Sequence, residues 1–279
     1  MIKVGFLKLG NIATAPLIEF LLDERAERED IDVRVLGSGA KLGESQAEEI
    51  AKKMLEINPD LVISVSPNAA LPGPTKAREI LANSGKPVIV VSDAPAKKAI
   101  KKMEQLGVGY IIIEADPMIG ARREFLDPVE MALFNSDMIK VLGVTGVFNI
   151  VYEEIDKVIE SLKKGEKLEL PRVIINKEKA VEAAKFHNPY ALTKAMAAYE
   201  IARQVAELSV EGCFKVKEWE RYVKIVAAAH EMARIAAKLA EEAREIEKSQ
   251  DTVIRRPHHD DGAILMKRKL IEKPRRQKT

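Results

Sequence analysis

The stretch DLVISVSPNAALPGPTKAREIL, residues 60–81, decides the fold. Its first six residues, 60–65, are β-branched and near-continuously apolar, the pattern of a strand covered on both faces. Its middle, SPNAALPGP (66–74), consists of turn formers. From Pro74 onward it reads as a helix over 74–84, with proline at a first helical position, where a missing N–H costs nothing. A strand, a polar loop and a helix in that order make the repeating unit of a parallel α/β sheet.

The same unit recurs on both sides. IKVGFLKL (2–9), IDVRVL (31–36), PVIVVS (87–92) and VGYIII (108–113) read as further strands, and 15–26, 44–57 and 95–106 as helices between them. Pro16 and Pro95 mark helix starts as Pro74 does. The alternation predicts an α/β fold: a flavodoxin- or Rossmann-like parallel sheet of five strands, with right-handed crossovers and helices on both faces.

After residue 127 the character changes. DPVE (127–130) is a capping-box start and NPY (188–190) another Asn-Pro start. Helices are expected over 128–142, 146–164, 189–209 and 217–248, with ELPRVIIN (169–176) as a possible extra strand. In the last helix Trp219, Tyr222, Val226, Ala229, Ala233, Ala236 and Ala240 form one stripe, suited to packing against other helices or another subunit. The expected organisation is an α/β domain over 1–127 carrying the ligand site and a helical bundle over 128–250 for packing and oligomerisation. Residues 251–279 would hold a hairpin around Gly262 and a basic, disordered end from 272.

Composition narrows the class. The 279 residues carry a formal net charge of +2, too balanced to point to nucleic acid. No run approaches the ~18 apolar residues of a membrane helix. The N-terminus enters a strand pattern directly, without a signal-peptide pattern, and the single Cys213 fits a reducing cytoplasm.

In such a sheet ligands bind beyond the carboxyl ends of the strands. Those ends are KLGNIATAP (8–16), GSGAKLG (37–43), SPNAALPGP (66–74), SDAPA (92–96) and EADPMIGARREFLD (114–127). The glycines at 37, 39 and 43 are spaced one residue too widely for a dinucleotide fingerprint and follow the second strand. No P-loop or nucleophile elbow is present. HEMAR (230–234) lacks the second histidine of a zinc helix, so His230 reads as a core or interface residue. HHDD (258–261) sits in a turn context, and no metal is expected. Arg122 and Arg123 are either two solvated charges or an anion clamp. Gly73 as a helix N-cap, and Gly10-Asn11 after the first strand, would leave N–H groups free for an anion. From these residues alone an NAD(P)-dependent oxidoreductase and a non-enzymatic, flavodoxin-like anion-binding module both stay open.

Longer strings are more specific. IDVRVLGSGAK (31–41), SPNAALPGPTKAREIL (66–81), MIGARREFLDPVEMALFN (118–135), NPYA (188–191), VEGCF (210–214) and AAAHEM (227–232) together resemble the coenzyme F420-dependent methylenetetrahydromethanopterin dehydrogenase family of methanogenic and related archaea. The resemblance runs along nearly the whole chain. It implies reversible hydride transfer between the methylene carbon of methylenetetrahydromethanopterin and the deazaflavin of coenzyme F420, giving the methenyl cation and reduced F420. It further implies a dissociable coenzyme, neither metal nor tightly bound flavin, and a homo-oligomer, a hexamer. No covalent nucleophile is needed, since catalysis is by positioning. Set on the strand-end loops, it implies that Gly10, Asn11, Ser66, Pro67, Asn68, Gly73, Asp93 and Ala94 line the F420 side. Asp116, Met118, Arg122, Arg123, Glu124, Phe125, Asn135 and Asp137 would lie toward the pterin.

Overall fold

The computed structural model describes residues 1–24 and 26–276. Strands β1 (Ile2–Lys8), β2 (Ile31–Gly37), β3 (Leu61–Ser66), β4 (Val88–Asp93), β5 (Gly109–Ile113) and β6 (Arg172–Ile175) form one sheet in the order β2-β1-β3-β4-β5-β6. Every pairing is parallel. The expected five strands become six: ELPRVIIN supplies β6, which adds to β5 with Tyr110 opposite Arg172 and Ile113 opposite Ile175.

The inner strands β1, β3, β4 and β5 read as expected because both faces are covered, whereas the edge strand β2 leaves Arg34, Val35 and Gly37 exposed. Phe6, Ile63, Val91 and Ile111 face α1 (Thr14–Leu22), α5 (Pro128–Val144), α6 (Val147–Lys164), α8 (Pro189–Val210) and α9 (Trp219–Ser249). Leu7, Val62, Val90 and Ile112 face α2 (Glu44–Glu56), α3 (Pro72–Asn83) and α4 (Ile100–Gln105). With α1 and α2 on opposite faces, the winding reverses at β1, and the switch in strand order lies between β1 and β3.

Several boundaries differ from expectation. α1 begins at Thr14 and α3 at Pro72, so Pro16 and Pro74 are third residues, still within the turn whose N–H groups have no helical acceptor. The segment at 95–106 divides into a 3-10 turn, Ala94–Ala99, and the short α4. A further helix, α7 (Lys177–Ala184), follows β6 and is capped by Asn176. The capping residues read from DPVE and NPY hold: Asp127 accepts from the Glu130 N–H at 2.7 Å and Asn188 from the Tyr190 N–H at 2.8 Å.

The residues after 127 share the core of the sheet. α8 and α9 run antiparallel, since Lys194 near the start of α8 pairs with Glu242 near the end of α9 at 2.6 Å. Buried alanines at 195, 198, 202, 229, 233, 236 and 240 allow a close approach. Trp219 departs from its stripe and is exposed. Among the described residues no single helix is long and apolar enough to cross a membrane; α5 and α6 would be so only together, and they meet at a 71° bend.

The C-terminal arm folds back as a hairpin around Gly262, bridging Arg255 to Lys267 and His258 to Ile264. Its basic end is ordered as far as the description reaches: β8 (Arg275–Arg276) pairs antiparallel with β7 (Leu265–Met266), and Arg276 reaches Asp261 at 2.6 Å. The expected disorder from 272 is thereby corrected through 276, and 277–279 lie outside the described residues. His258 is fully buried, its Nε2 2.8 Å from Asp156 and its Nδ1 3.3 Å from Glu24, so this histidine of HHDD pins the arm to α6 and to the end of α1.

Candidate functional site

A cavity of about 520 Å³ opens over the carboxyl ends of β1 and β2, between the loop entering α1 and the first turns of α5. Lys8, Gly10, Asn11, Gly39, Met131 and Asn135 are among its walls. Gly10 has φ 76°, and a Cβ there would stand 2.9 Å from Leu42 Cδ2 and 3.1 Å from Pro67 Cδ. Only glycine allows this turn, which packs against Leu42 and against Pro67 beyond the end of β3. The Asn11 side-chain amide donates to Asn135 Oδ1 at 3.2 Å, and the Asn135 amide donates to the Met131 carbonyl at 2.7 Å. These bonds orient both amides at the cavity wall. Lys8 is held by Glu19 at 2.9 Å.

Asp116 lies under this wall. Its carboxylate accepts from the N–H groups of Ala13 and Thr14 at 3.0 and 2.9 Å and from Thr14 Oγ1 at 2.5 Å. Complete burial pushes its pKa up to about 6, against the opposing pull of those bonds. Asp116 therefore sets where α1 begins, and with it the Gly10–Asn11 turn; its oxygens are committed to the Ala13 and Thr14 N–H groups and the Thr14 hydroxyl.

Further along the same edge, Asp93 is buried and caps its 3-10 turn by accepting from the Ala94 N–H at 2.6 Å. Burial, with repulsion from Asp116 and Glu114, raises its pKa well above the ordinary value. The Ser66 carbonyl accepts from Ser92 Oγ at 2.7 Å, and that hydroxyl accepts from the Ala69 N–H at 2.9 Å. Asn68 accepts from the Ala70 N–H at 2.9 Å, an Asx turn, while Arg78 ties the Ala69 carbonyl down at 2.7 Å. Gly73 is not the N-cap of α3: Leu71 is, and Pro72 is the first helical residue. A Cβ on Gly73 would be 2.1 Å from the Leu42 carbonyl oxygen, so glycine serves backbone packing there.

The loop after β5 is bound to the helices. Arg122 donates to the Gly212 and Val216 carbonyls at 3.0 and 3.1 Å and lies 4.1 Å over the Tyr222 ring, so its guanidinium is occupied by the α8–α9 connection. The Arg123 side chain is 95% exposed and 4.0 Å from Glu124. A hydrogen bond from Tyr222 lowers the pKa of Glu124. The Phe125 ring meets His230 edge-on at 4.8 Å, and His230, buried and also against Phe134, has its pKa lowered by burial. Met118 is half-buried. Asp137 has its pKa raised by burial, with Lys140 of α5 and Arg234 of α9 pulling the other way.

Of the sixteen residues expected at the site, the cavity wall thus takes Gly10, Asn11 and Asn135, drawn from both expected sides. Ser66, Pro67, Asn68, Asp93 and Ala94 stand beside it on the neighbouring strand ends. Sequence reasoning missed Lys8, Gly39 and Met131. Signals existed for Lys8 in KLGNIATAP and for Gly39 in GSGAKLG; Met131 depends on which strand end α5 crosses. Among the described residues no group of three or more His, Cys, Asp or Glu could hold a metal ion.

Residues 2–275 match the family described as methylene-5,6,7,8-tetrahydromethanopterin dehydrogenase. An F420-dependent methylenetetrahydromethanopterin dehydrogenase of Archaeoglobus fulgidus is 62% identical over 98% of this chain and 99% of its own. That of Methanocaldococcus jannaschii is 57% identical over the same shares. A solved F420-dependent methylene-tetrahydromethanopterin dehydrogenase, in complex with methylene-tetrahydromethanopterin and coenzyme F420, superposes with a TM-score of 0.95 at 50% identity, covering 98% of this chain and 99% of that one. With the fold and the near-full-length similarity in agreement, the chain belongs to the methylene-tetrahydromethanopterin dehydrogenase family.

Proposed function

We propose that this protein is an F420-dependent oxidoreductase that moves a hydride reversibly between methylenetetrahydromethanopterin and coenzyme F420. The observation that carries this is the near-complete superposition on a 50% identical chain solved with both ligands. The residues present fit a flat coenzyme ring: Gly39 has φ 63° and open space where a Cβ would stand, and the Asn11 and Asn135 amides supply oriented donors and acceptors. When bound, F420 supplies the deazaflavin carbon that accepts the hydride. The chain's part is to hold two rings face to face and to exclude water, which is enough for transfer between bound organic groups.

Gly10, Asn11 and Asn135 would meet the ring. Ser66, Pro67, Asn68, Asp93 and Ala94 would form the shelf alongside, and Gly73 would act by fixing the start of α3. Asp116 and Arg122 would position the walls, while Met118, Arg123, Glu124, Phe125 and Asp137 would lie toward the pterin. Carboxylates near the pterin would favour the cation formed as hydride leaves. Residues 1–127 carry the coenzyme loops and 128–250 the helical bundle that closes the site and joins subunits. Exposed Val129, Leu133 and Trp219 suit burial against another subunit of a homo-oligomer, for which a hexamer is the expected form, and the free Cys213 suits the cytoplasm.

The test mixes purified protein with methylenetetrahydromethanopterin and F420. Absorbance at 420 nm should bleach, and recover when methenyl carrier is added to reduced F420. Reduction of NAD(P) in place of F420 would overturn the reading.

A further inference from the structure

His230, the histidine of HEMAR, sits on α9 behind the first turns of α5. Its ring is buried between Phe125, met edge-on at 4.8 Å, and Phe134, tilted at 4.6 Å. Burial lowers its pKa, so the neutral ring brings one N–H and one lone pair into an aromatic setting. Among the described residues neither ring nitrogen has a hydrogen-bond partner. Glu130, a half-exposed carboxylate, stands just short, its Oε2 3.5 Å from Nδ1.

This arrangement weakens the fold. Two buried polar atoms without bonds are each destabilising, and a phenylalanine would fill the same space with neither. A side chain kept against the interest of stability is expected to serve a site instead. The helix shows which part of the site. Glu130 and Phe134 are four residues apart and share the α5 face that meets His230. Pro128, Met131, Ala132 and Asn135 take a neighbouring face, and all four line the cavity of about 520 Å³. The first turns of α5 are therefore held between that cavity and His230. Any shift of these turns also moves the Asn135 amide and its 3.2 Å bond to Asn11.

We propose that His230 is a positioning residue for hydride transfer: its imidazole, bonding to Glu130, sets the first turns of α5 and so the place of Met131 and Asn135 against the coenzyme ring. The role rests on the reading of the cavity as the F420 site. Closing the contact from 3.5 Å to the ~2.9 Å of a hydrogen bond needs only a small turn of the Glu130 side chain. A bond to an ionised carboxylate is also stronger than one between neutral groups, enough to hold a helix turn in register.

Steady-state kinetics on the full chain test this, following absorbance at 420 nm with methylenetetrahydromethanopterin and F420. His230→Phe keeps an aromatic ring between Phe125 and Phe134 and removes only the nitrogens. It should raise KM for F420 about tenfold, the loss expected for one charge-assisted bond. It should leave KM for the pterin within about twofold and raise Tm by about 2 °C or more. Glu130→Ala should give the same change in KM for F420, and the double variant should be no worse than either single one. A lower Tm in His230→Phe with both KM values rising equally would make His230 a packing residue and overturn the proposal. An unchanged KM for F420, or single effects that multiply in the double variant, would overturn it too. Active wild type with unaffected variants sinks the positioning role alone, whereas wild type that does not bleach F420 overturns both the role and the reading it rests on.

Discussion

At Asp116 one carboxylate does the work of a splice. It joins the loop after β5 to the first turn of α1, and so fixes the glycine turn at the cavity wall. Its position has a measurable cost. The ordinary value of 3.8 is raised to about 6, so the folded protein keeps a proton where the unfolded chain has lost it. The stability contributed by that proton is full below 3.8 and is lost as pH rises through 6, by at most ~3 kcal/mol for roughly two units. Asp116→Asn cannot titrate. In urea unfolding the wild type should therefore lose stability relative to Asp116→Asn between about pH 4 and about pH 6.5. Parallel curves would show that the shift is absent. The sequence marks this aspartate as polar and near a strand end, which is also what a substrate carboxylate would look like. Only its distance from the Ala13 and Thr14 N–H groups separates the two roles.

At the scale of elements, the loop between β5 and α5 is locked by one arginine of an adjacent pair. Arg122→Ala removes two donors to carbonyls and a cation over Tyr222, and should cost about 2–3 kcal/mol in thermal unfolding. Arg123→Ala should stay within about 0.5 kcal/mol, and small equal effects would mean the loop is not held this way. Side by side in sequence the two are indistinguishable, because the difference lies in carbonyls 90 and 94 residues away. Short elements were hard to read for a similar reason. β6 has four residues, too few to show a period, and it is a strand because the edge of β5 is there to pair with it. α7 has eight residues and is fixed by the Asn176 cap. The long helices and the five apolar strands were legible because their burial writes a pattern many residues long.

Across the whole molecule, the buried His258 closes the chain on itself, joining the C-terminal arm to α1 and α6. Burial opposes a charge on this ring, but hydrogen bonds to Asp156 and Glu24 prevail and raise its pKa above 6.5. The stabilisation is complete below pH 6.5 and is lost as pH rises through the higher folded value. Hydrogen exchange of the amides from 255 to 267, corrected for intrinsic rates, should accelerate across that range while β3 does not change. His258→Asn should exchange fast at every pH; exchange that ignores pH in the wild type would remove the latch.

The placement of β6 bears on how the chain is made. β5 is buried throughout, and its outer edge is covered by a strand that arrives only at residue 172. While the ribosome is still synthesising α5 and α6, the edge of β5 stands open on a sheet that already has five of its six strands, a ready template for any other extended chain. The nascent protein has to keep that edge from its neighbours until Ile175 has emerged.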